Sequence, residues 1–117
     1  MPRILLVDDS PVIQLMHKAM LDQLGYTDYA IAEQGGIALE RFIAEPFDLV
    51  ITDYNMPEMN GAEFTKAIRD RGSVVPVIMV TSEGQREIEL ALHSGVSVVL
   101  EKPTTVTLMG EAIRKFI

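Results

Sequence analysis

The sequence predicts a doubly wound α/β domain, with five parallel strands in the order 2-1-3-4-5 and helices on both faces of the sheet. Three observations carry that prediction. Short apolar runs alternate five times with longer segments patterned at helical spacing. Most of the runs are apolar on consecutive residues, which is what parallel strands covered on both faces require. The 117 residues, 48% of them hydrophobic, suffice for one core, so a single domain over 1–117 is expected.

The first strand is read at Ile4–Val7. Ser10 is placed to cap the helix that follows, Pro11 takes its first position and Gly25 ends it. Its expected apolar stripe is Val12, Ile13, Met16, Ala19, Met20 and Leu24. A weaker strand at Tyr29–Ala32 precedes a helix marked by Ala38, Leu39, Phe42 and Ile43. The third strand, Leu49–Thr52, leads to a helix carrying Phe64, Ala67 and Ile68 and stopping near Gly72. A fourth strand at 77–80 leads to Ile88, Ala91 and Leu92, with a stop near Gly95. The last strand, 98–100, precedes a helix bearing Leu108, Met109, Ala112, Ile113 and Phe116. Arg114 and Lys115 suit the negative end of that helix. Five strand–helix units with short connections place the chain in the flavodoxin-like class. Met16, Met20 and Met109 read as core filling, and His17 and His93 as solvated or partly packed helix residues.

Charge and composition narrow the function. Ten basic residues against seventeen acidic ones leave a net charge of −7, which disfavours nucleic acid and anionic membrane surfaces as partners. The lack of cysteine excludes disulfides and thiolate metal sites and fits a reducing compartment. The start, Met1 to Asp9, reaches charge after only four consecutive apolar residues, too few for a signal-peptide core or a membrane span, so a cytoplasmic location is expected.

In a sheet of this order the functional crevice lies beyond the carboxyl ends of the strands, at the switch point between the first and third. The residues that follow each strand are therefore the informative ones. They are Asp8 and Asp9; Asp53 with Tyr54, Asn55, Met56 and Pro57; Thr81, Ser82 and Glu83; and Glu101, Lys102 and Pro103. Three carboxylates packed together raise one another's pKa, and one lysine cannot balance them, so a divalent cation is implied. All-oxygen ligands select Mg²⁺, Mn²⁺ or Ca²⁺, and a site that keeps room for a phosphate oxygen suits Mg²⁺ best. Asp53 ends a central strand on the switch-point side and is the candidate nucleophile toward phosphorus. Lys102, the Thr81 hydroxyl and the cation are then placed to neutralise a phosphoryl group in flight.

Four fragments occur in one order and spacing: Leu-Leu-Val-Asp-Asp-Ser at 5–10, Ile-Thr-Asp-Tyr-Asn-Met-Pro-Glu-Met-Asn-Gly at 51–61, Met-Val-Thr-Ser-Glu at 79–83, and Glu-Lys-Pro at 101–103. In these the chain resembles the receiver domain of two-component response regulators, most of all the single-domain chemotaxis type. The resemblance implies that Asp53 is the phosphoacceptor and that Asp9, Asp53 and the backbone carbonyl of Asn55 ligate Mg²⁺, with Asp8 acting through a coordinated water and Mn²⁺ able to substitute. It also implies that Thr81 is the switch hydroxyl, that Lys102 is the phosphate counter-ion before a cis Lys-Pro bond, and that Asn55 and Glu83 tune hydrolysis. A histidine kinase or a small phosphodonor would supply the phosphoryl group, and a downstream target protein would read the helix 4, strand 5 and helix 5 face. The domain would catalyse only its own phosphorylation and autodephosphorylation, as a cytoplasmic monomer. Two positions depart from the family pattern: Val99 stands where an aromatic ring is usual, and Thr104 where Phe is common. Valine is stiff about χ1 and cannot swing in and out as a ring does, so that face is expected to be read differently.

Each residue alone has a plainer reading. Asp9, Ser10 and Pro11 suit any helix start, Lys102 a solvated surface, Thr81 a local backbone bond, Glu83 a loop acid, and Asn55 and Gly61 a turn. Their joint placement outweighs those readings. Other functions fit less well. A dehalogenase-like phosphatase needs an acid two residues after its nucleophile, where Asn55 stands, and a flavodoxin needs a phosphate loop where Asp8 and Asp9 would repel phosphate. A phosphorylation-independent interaction module, or a receiver domain cut from a larger regulator, remains as an alternative use of the same fold.

Overall fold

Residues 1–117 are described by the computed structural model. In chain order the elements are β1 (Ile4–Val7), α1 (Pro11–Leu24), β2 (Tyr29–Ala32), α2 (Gly35–Ala44), β3 (Leu49–Thr52), α3 (Gly61–Asp70), β4 (Val77–Thr81), α4 (Gln85–His93), β5 (Val98–Glu101) and α5 (Val106–Arg114). All strand pairs are parallel and the order is β2-β1-β3-β4-β5, as the alternation predicts. β4 and β5 each run one residue beyond the apolar run, because Thr81 pairs with Glu101 and extends the ladder.

Strand alternation divides the core between the two faces of the sheet. Leu5, Val7, Val50, Val77 and Met79 pack with Ala38 of α2, Phe64 and Ile68 of α3 and Ala91 of α4. Ile4, Leu6, Leu49, Ile51, Ile78 and Val80 pack on the other face with Leu21 of α1 and Met109, Ala112 and Ile113 of α5. Both faces being covered explains the unbroken burial of β1, β3 and β4, whereas edge strand β2 is buried only at alternate residues. At the amino edge of the sheet Arg3 ties the loops together: its guanidinium pairs with Asp28 and Glu45 and lies 5.2 Å from the centre of the Phe47 ring.

The helix ends follow local chemistry. Ser10 accepts from the Ile13 N–H, and Gly25 closes α1 at a φ of 88° that disfavours a side chain. Gly72 and Gly95 follow α3 and α4 with φ of 89° and 107°. Asn60 and Glu63 form a reciprocal capping box on α3.

The apolar stripes are where tertiary structure departs from the sequence reading. On α1 the buried residues are His17 and Leu21, while Val12 and Met16 face solvent at 66% and 38% exposure. The inward line thus passes between two apolar rows rather than along the expected one, and Met16 does not fill the core, although Met20 and Met109 do pack in it. Ile43, Leu92, Leu108 and Phe116 are likewise exposed, and Phe116 lies past the end of α5. On α4 only Ala91 is buried, so that helix rests lightly on the sheet.

Leu21→Ala should therefore cost about 2–5 kcal/mol of stability through a core cavity, while Val12→Ala stays within about 0.5 kcal/mol. Urea denaturation midpoints of the two variants check this; the reverse order would restore the Val12 stripe.

Candidate functional site

Parallel register brings the acidic residues together. Val7 pairs with Thr52 across β1 and β3, so Asp8 and Asp53 leave the sheet side by side. The Asp53 N–H donates to the Val7 carbonyl at 3.0 Å, and the Asp8 N–H to the Ala32 carbonyl at 3.1 Å, which anchors both turns to the strands. Asp8 is 3% exposed. Its carboxylate accepts from the Ser10 N–H at 2.9 Å and from Lys102 Nζ at 3.2 Å, and its carbonyl accepts from the Gln14 side chain at 2.6 Å. Asp53 Oδ1 accepts from the Tyr54 N–H at 2.7 Å, and its Oδ2 lies 3.1 Å from Lys102 Nζ.

Lys102 reaches this pair from the position just after β5, where its N–H donates to the Thr81 carbonyl at 2.9 Å. The Lys102–Pro103 bond is cis. Thr81, 2% exposed at the end of β4, accepts the Glu83 N–H at 3.1 Å. Across the mouth, the Asn55 side-chain amide donates to the Glu83 carboxylate. Asp9 is exposed at the rim, yet one carboxylate oxygen of each of Asp8, Asp9 and Asp53 lies within 4.8 Å of the others.

Three acids against one ammonium set the electrostatics. Burial raises the Asp53 pKa above its ordinary value of 3.8, the hydrogen bond and charge of Lys102 oppose the rise, and the charge of Asp8 adds to it. For Lys102 burial works against the charged form, but Asp53 and Asp8 outweigh it and hold the pKa above 10.5. Hard oxygen donors this close, short of positive charge, fit a hard divalent cation.

The structure thus brings together Asp8, Asp9, Asp53 and Lys102, sets Thr81 at the neighbouring strand end and joins Asn55 to Glu83. Several supports escaped the sequence reading because they act through backbone. The Ser10 and Tyr54 amides hold the carboxylates, and Gly61 is more than a turn residue. Its N–H donates to the Tyr54 carbonyl at 2.7 Å, and a Cβ there would overlap the Asp53 carbonyl. His17 is buried, contrary to a solvated or partly packed role, and burial lowers its pKa, partly offset by Asp8. Val99 is half-buried against the α2–α3–α4 side of the core. Thr104 is buried with a hydroxyl that has no hydrogen-bond partner, where an apolar side chain would carry no such cost.

Comparison with known proteins points to one family. The profile of the response regulator receiver domain matches residues 4–114. The chemotaxis protein CheY1 of Helicobacter pylori is 39% identical over 115 residues, covering 95% of this chain and 93% of the relative. Among solved structures, chemotaxis protein CheY4 of Vibrio cholerae superposes with a TM-score of 0.90 at 31% identity, covering 100% of this chain and 99% of that one. The receiver domain of sensor histidine kinase PA1611 from Pseudomonas aeruginosa, solved with a magnesium ion coordinated in its active site cleft, gives 0.90 at 30% identity, covering 98% and 96%.

The raised Asp53 pKa has a stability consequence in the metal-free protein. An acid whose folded pKa exceeds its unfolded one favours folding below the unfolded pKa, and that contribution is lost as pH rises through the folded pKa. Asp53→Asn should therefore compare more favourably with the unsubstituted protein at pH 7 than at pH 3. Urea denaturation in the presence of a chelator measures the difference, and the opposite trend would mean that Lys102 outweighs burial.

Proposed function

This chain belongs to the response regulator receiver domain family of two-component signalling, and from that premise we propose that Asp53 is its phosphoacceptor. The observation that supports this most is the buried Asp53 carboxylate between the acid pair and Lys102 Nζ. An Asp53 oxygen attacks phosphorus. The new O–P bond forms as the bond from phosphorus to a donor imidazole, or to the oxygen of a small acyl phosphate, breaks. The electron pair leaves with the donor, and the imidazole ends neutral by proton exchange with water. Hydrolysis is the attack of a water oxygen on the same phosphorus as the phosphorus–Asp53 oxygen bond breaks, which returns the Asp53 carboxylate and inorganic phosphate, the water proton passing to solvent or the phosphate.

The remaining residues position and neutralise. Lys102, already held between Asp8 and Asp53, has its ammonium beside the oxygen that bonds phosphorus. Thr81 can donate its hydroxyl hydrogen to a phosphoryl oxygen, because its oxygen is engaged only as acceptor from Glu83. The bridge from Asn55 to Glu83 stands at the exposed side from which water must come, which suits a tuning role in hydrolysis. Asp8, Asp9, Asp53 and the Asn55 backbone carbonyl would hold Mg²⁺, with Mn²⁺ as substitute. The bound ion would supply charge neutralisation of the phosphoryl oxygens.

The domain is a signalling module rather than a classical enzyme. In our reading its catalysis is confined to its own phosphorylation and autodephosphorylation. A histidine kinase supplies the phosphoryl group, and a target protein reads the α4–β5–α5 face. No helix is long and apolar enough to cross a membrane. We place the protein in the cytoplasm as a monomeric single domain over 1–117, in a chemotaxis-type pathway supported by its chemotaxis relatives.

Acetyl phosphate with Mg²⁺ should add one phosphoryl group, seen by mass spectrometry, and a chelator should abolish the addition. Asp53→Asn should fold by circular dichroism but take no label, and Lys102→Met should slow labelling about 10²-fold. Labelling of the Asn variant would overturn the assignment. Binding alone has its own readout: Mg²⁺ at a hundred times its Kd should stabilise the unsubstituted protein by about 2.7 kcal/mol, and Asp9→Asn should lose most of that gain.

A further inference from the structure

Next to the phosphoacceptor site the molecule has a second concavity. It has a volume of about 300 Å³ and is lined by Thr81, Glu83, Ile88, Val99 and Glu101. Its origin is a packing deficit. Val99 pairs with Met79, and Thr81 with Glu101, in parallel register, so these four side chains project from one face of β4 and β5, the face α4 covers. Ala91 is the only residue α4 buries, and Gly84, at the capping position before the helix, offers no side-chain cap. Ile88 and the short Val99 therefore leave space between them.

The lining is two apolar walls, one hydroxyl and two carboxylates, with no cation. Glu101 enters none of the chain's six salt bridges, and Glu83 is engaged on one oxygen by the Asn55 amide. A purely apolar occupant would bury those carboxylates unpaired. A side chain with a methylene stem and a planar, multiply donating cation satisfies walls and carboxylates together.

We propose that this cavity receives an arginine side chain of the target protein, its stem against Val99 and Ile88 and its guanidinium between Glu83 and Glu101. The inference rests on the phospho-switch reading for its coupling. Thr81 forms part of the cavity wall and holds the Glu83 N–H, so turning the Thr81 hydroxyl toward a phosphoryl oxygen reshapes the space that receives the guanidinium. Recognition then uses a side chain supplied by the partner where Val99 leaves room.

Titration of the ¹⁵N-labelled, unphosphorylated chain with N-acetyl-arginine amide tests the site, with the neutral isostere N-acetyl-citrulline amide as control. Amide shifts at Thr81, Glu83, Val99 and Glu101 are expected at millimolar arginine. Affinity should fall about tenfold with citrulline and in Glu101→Gln, as expected for loss of a charge-assisted hydrogen bond. Val99→Tyr should abolish the shifts by filling the space. Absence of shifts at these residues, an equal response to citrulline, or undiminished binding in Val99→Tyr would each overturn the proposal. Acetyl phosphate labelling of Asp53 is read separately on the unsubstituted chain. Labelling without arginine binding removes this site alone, and arginine binding without labelling removes the phosphoacceptor assignment alone.

Discussion

The ammonium of Lys102, held about equally far from two buried carboxylates on adjacent strands, is the interaction on which the functional end of this protein depends. Taking Asp8 and Asp53 out of water side by side is unfavourable unless positive charge accompanies them. Lys102 supplies one charge from the far strand, and its backbone is fastened to Thr81. The site nonetheless stays short of positive charge once Asp9 is counted, and that residual deficit fits it for a hard divalent cation.

The sheet makes such a site affordable. Parallel strands covered on both faces end abruptly at one edge, and β1 and β3 deliver Asp8 and Asp53 in register. The carboxylates are then held by neighbouring backbone amides, from Ser10 and Tyr54, donors that lose no side-chain entropy of their own. Gly61 lets the loop return close enough to touch the Asp53 carbonyl, since any Cβ there would push it away. Core and site are thereby mechanically joined: a shift of α3 or its loop is a shift of Asp53.

On the β5 side the construction is looser. β5 is an edge strand, its residues only half-buried at best, and α4 reaches the sheet with a single alanine. Backbone hydrogen bonds hold the Asp53 side of this edge, whereas the Val99 side is covered only by the light contact of α4. Thr81 stands between the two regions, with its hydroxyl oxygen bonded to Glu83 on the cavity side.

Much of this was legible from the residues alone, for a physical reason. Unbroken apolar runs such as Ile4–Val7 and Leu49–Thr52 identify strands buried on both faces, and polar residues immediately after them must lie at one edge of a parallel sheet. Fold, strand order and the convergence of Asp8, Asp9, Asp53, Thr81 and Lys102 follow from that pattern. The buried rows of α3 and α5 followed too, at Phe64, Ile68, Met109, Ala112 and Ile113, but the inward face of α1 did not, because it carries apolar residues on more than half its circumference, and a pattern of that kind does not say which row turns inward. Only contact with α5 and the sheet chose Leu21 and His17 over Val12 and Met16. The backbone donors of Ser10 and Tyr54, the Asn55–Glu83 bridge and the cavity beside Val99 were likewise decided in three dimensions. Hydrogen bonds from main-chain amides and empty space between side chains have no residue type to announce them, and arise only when distant segments are brought to a common distance.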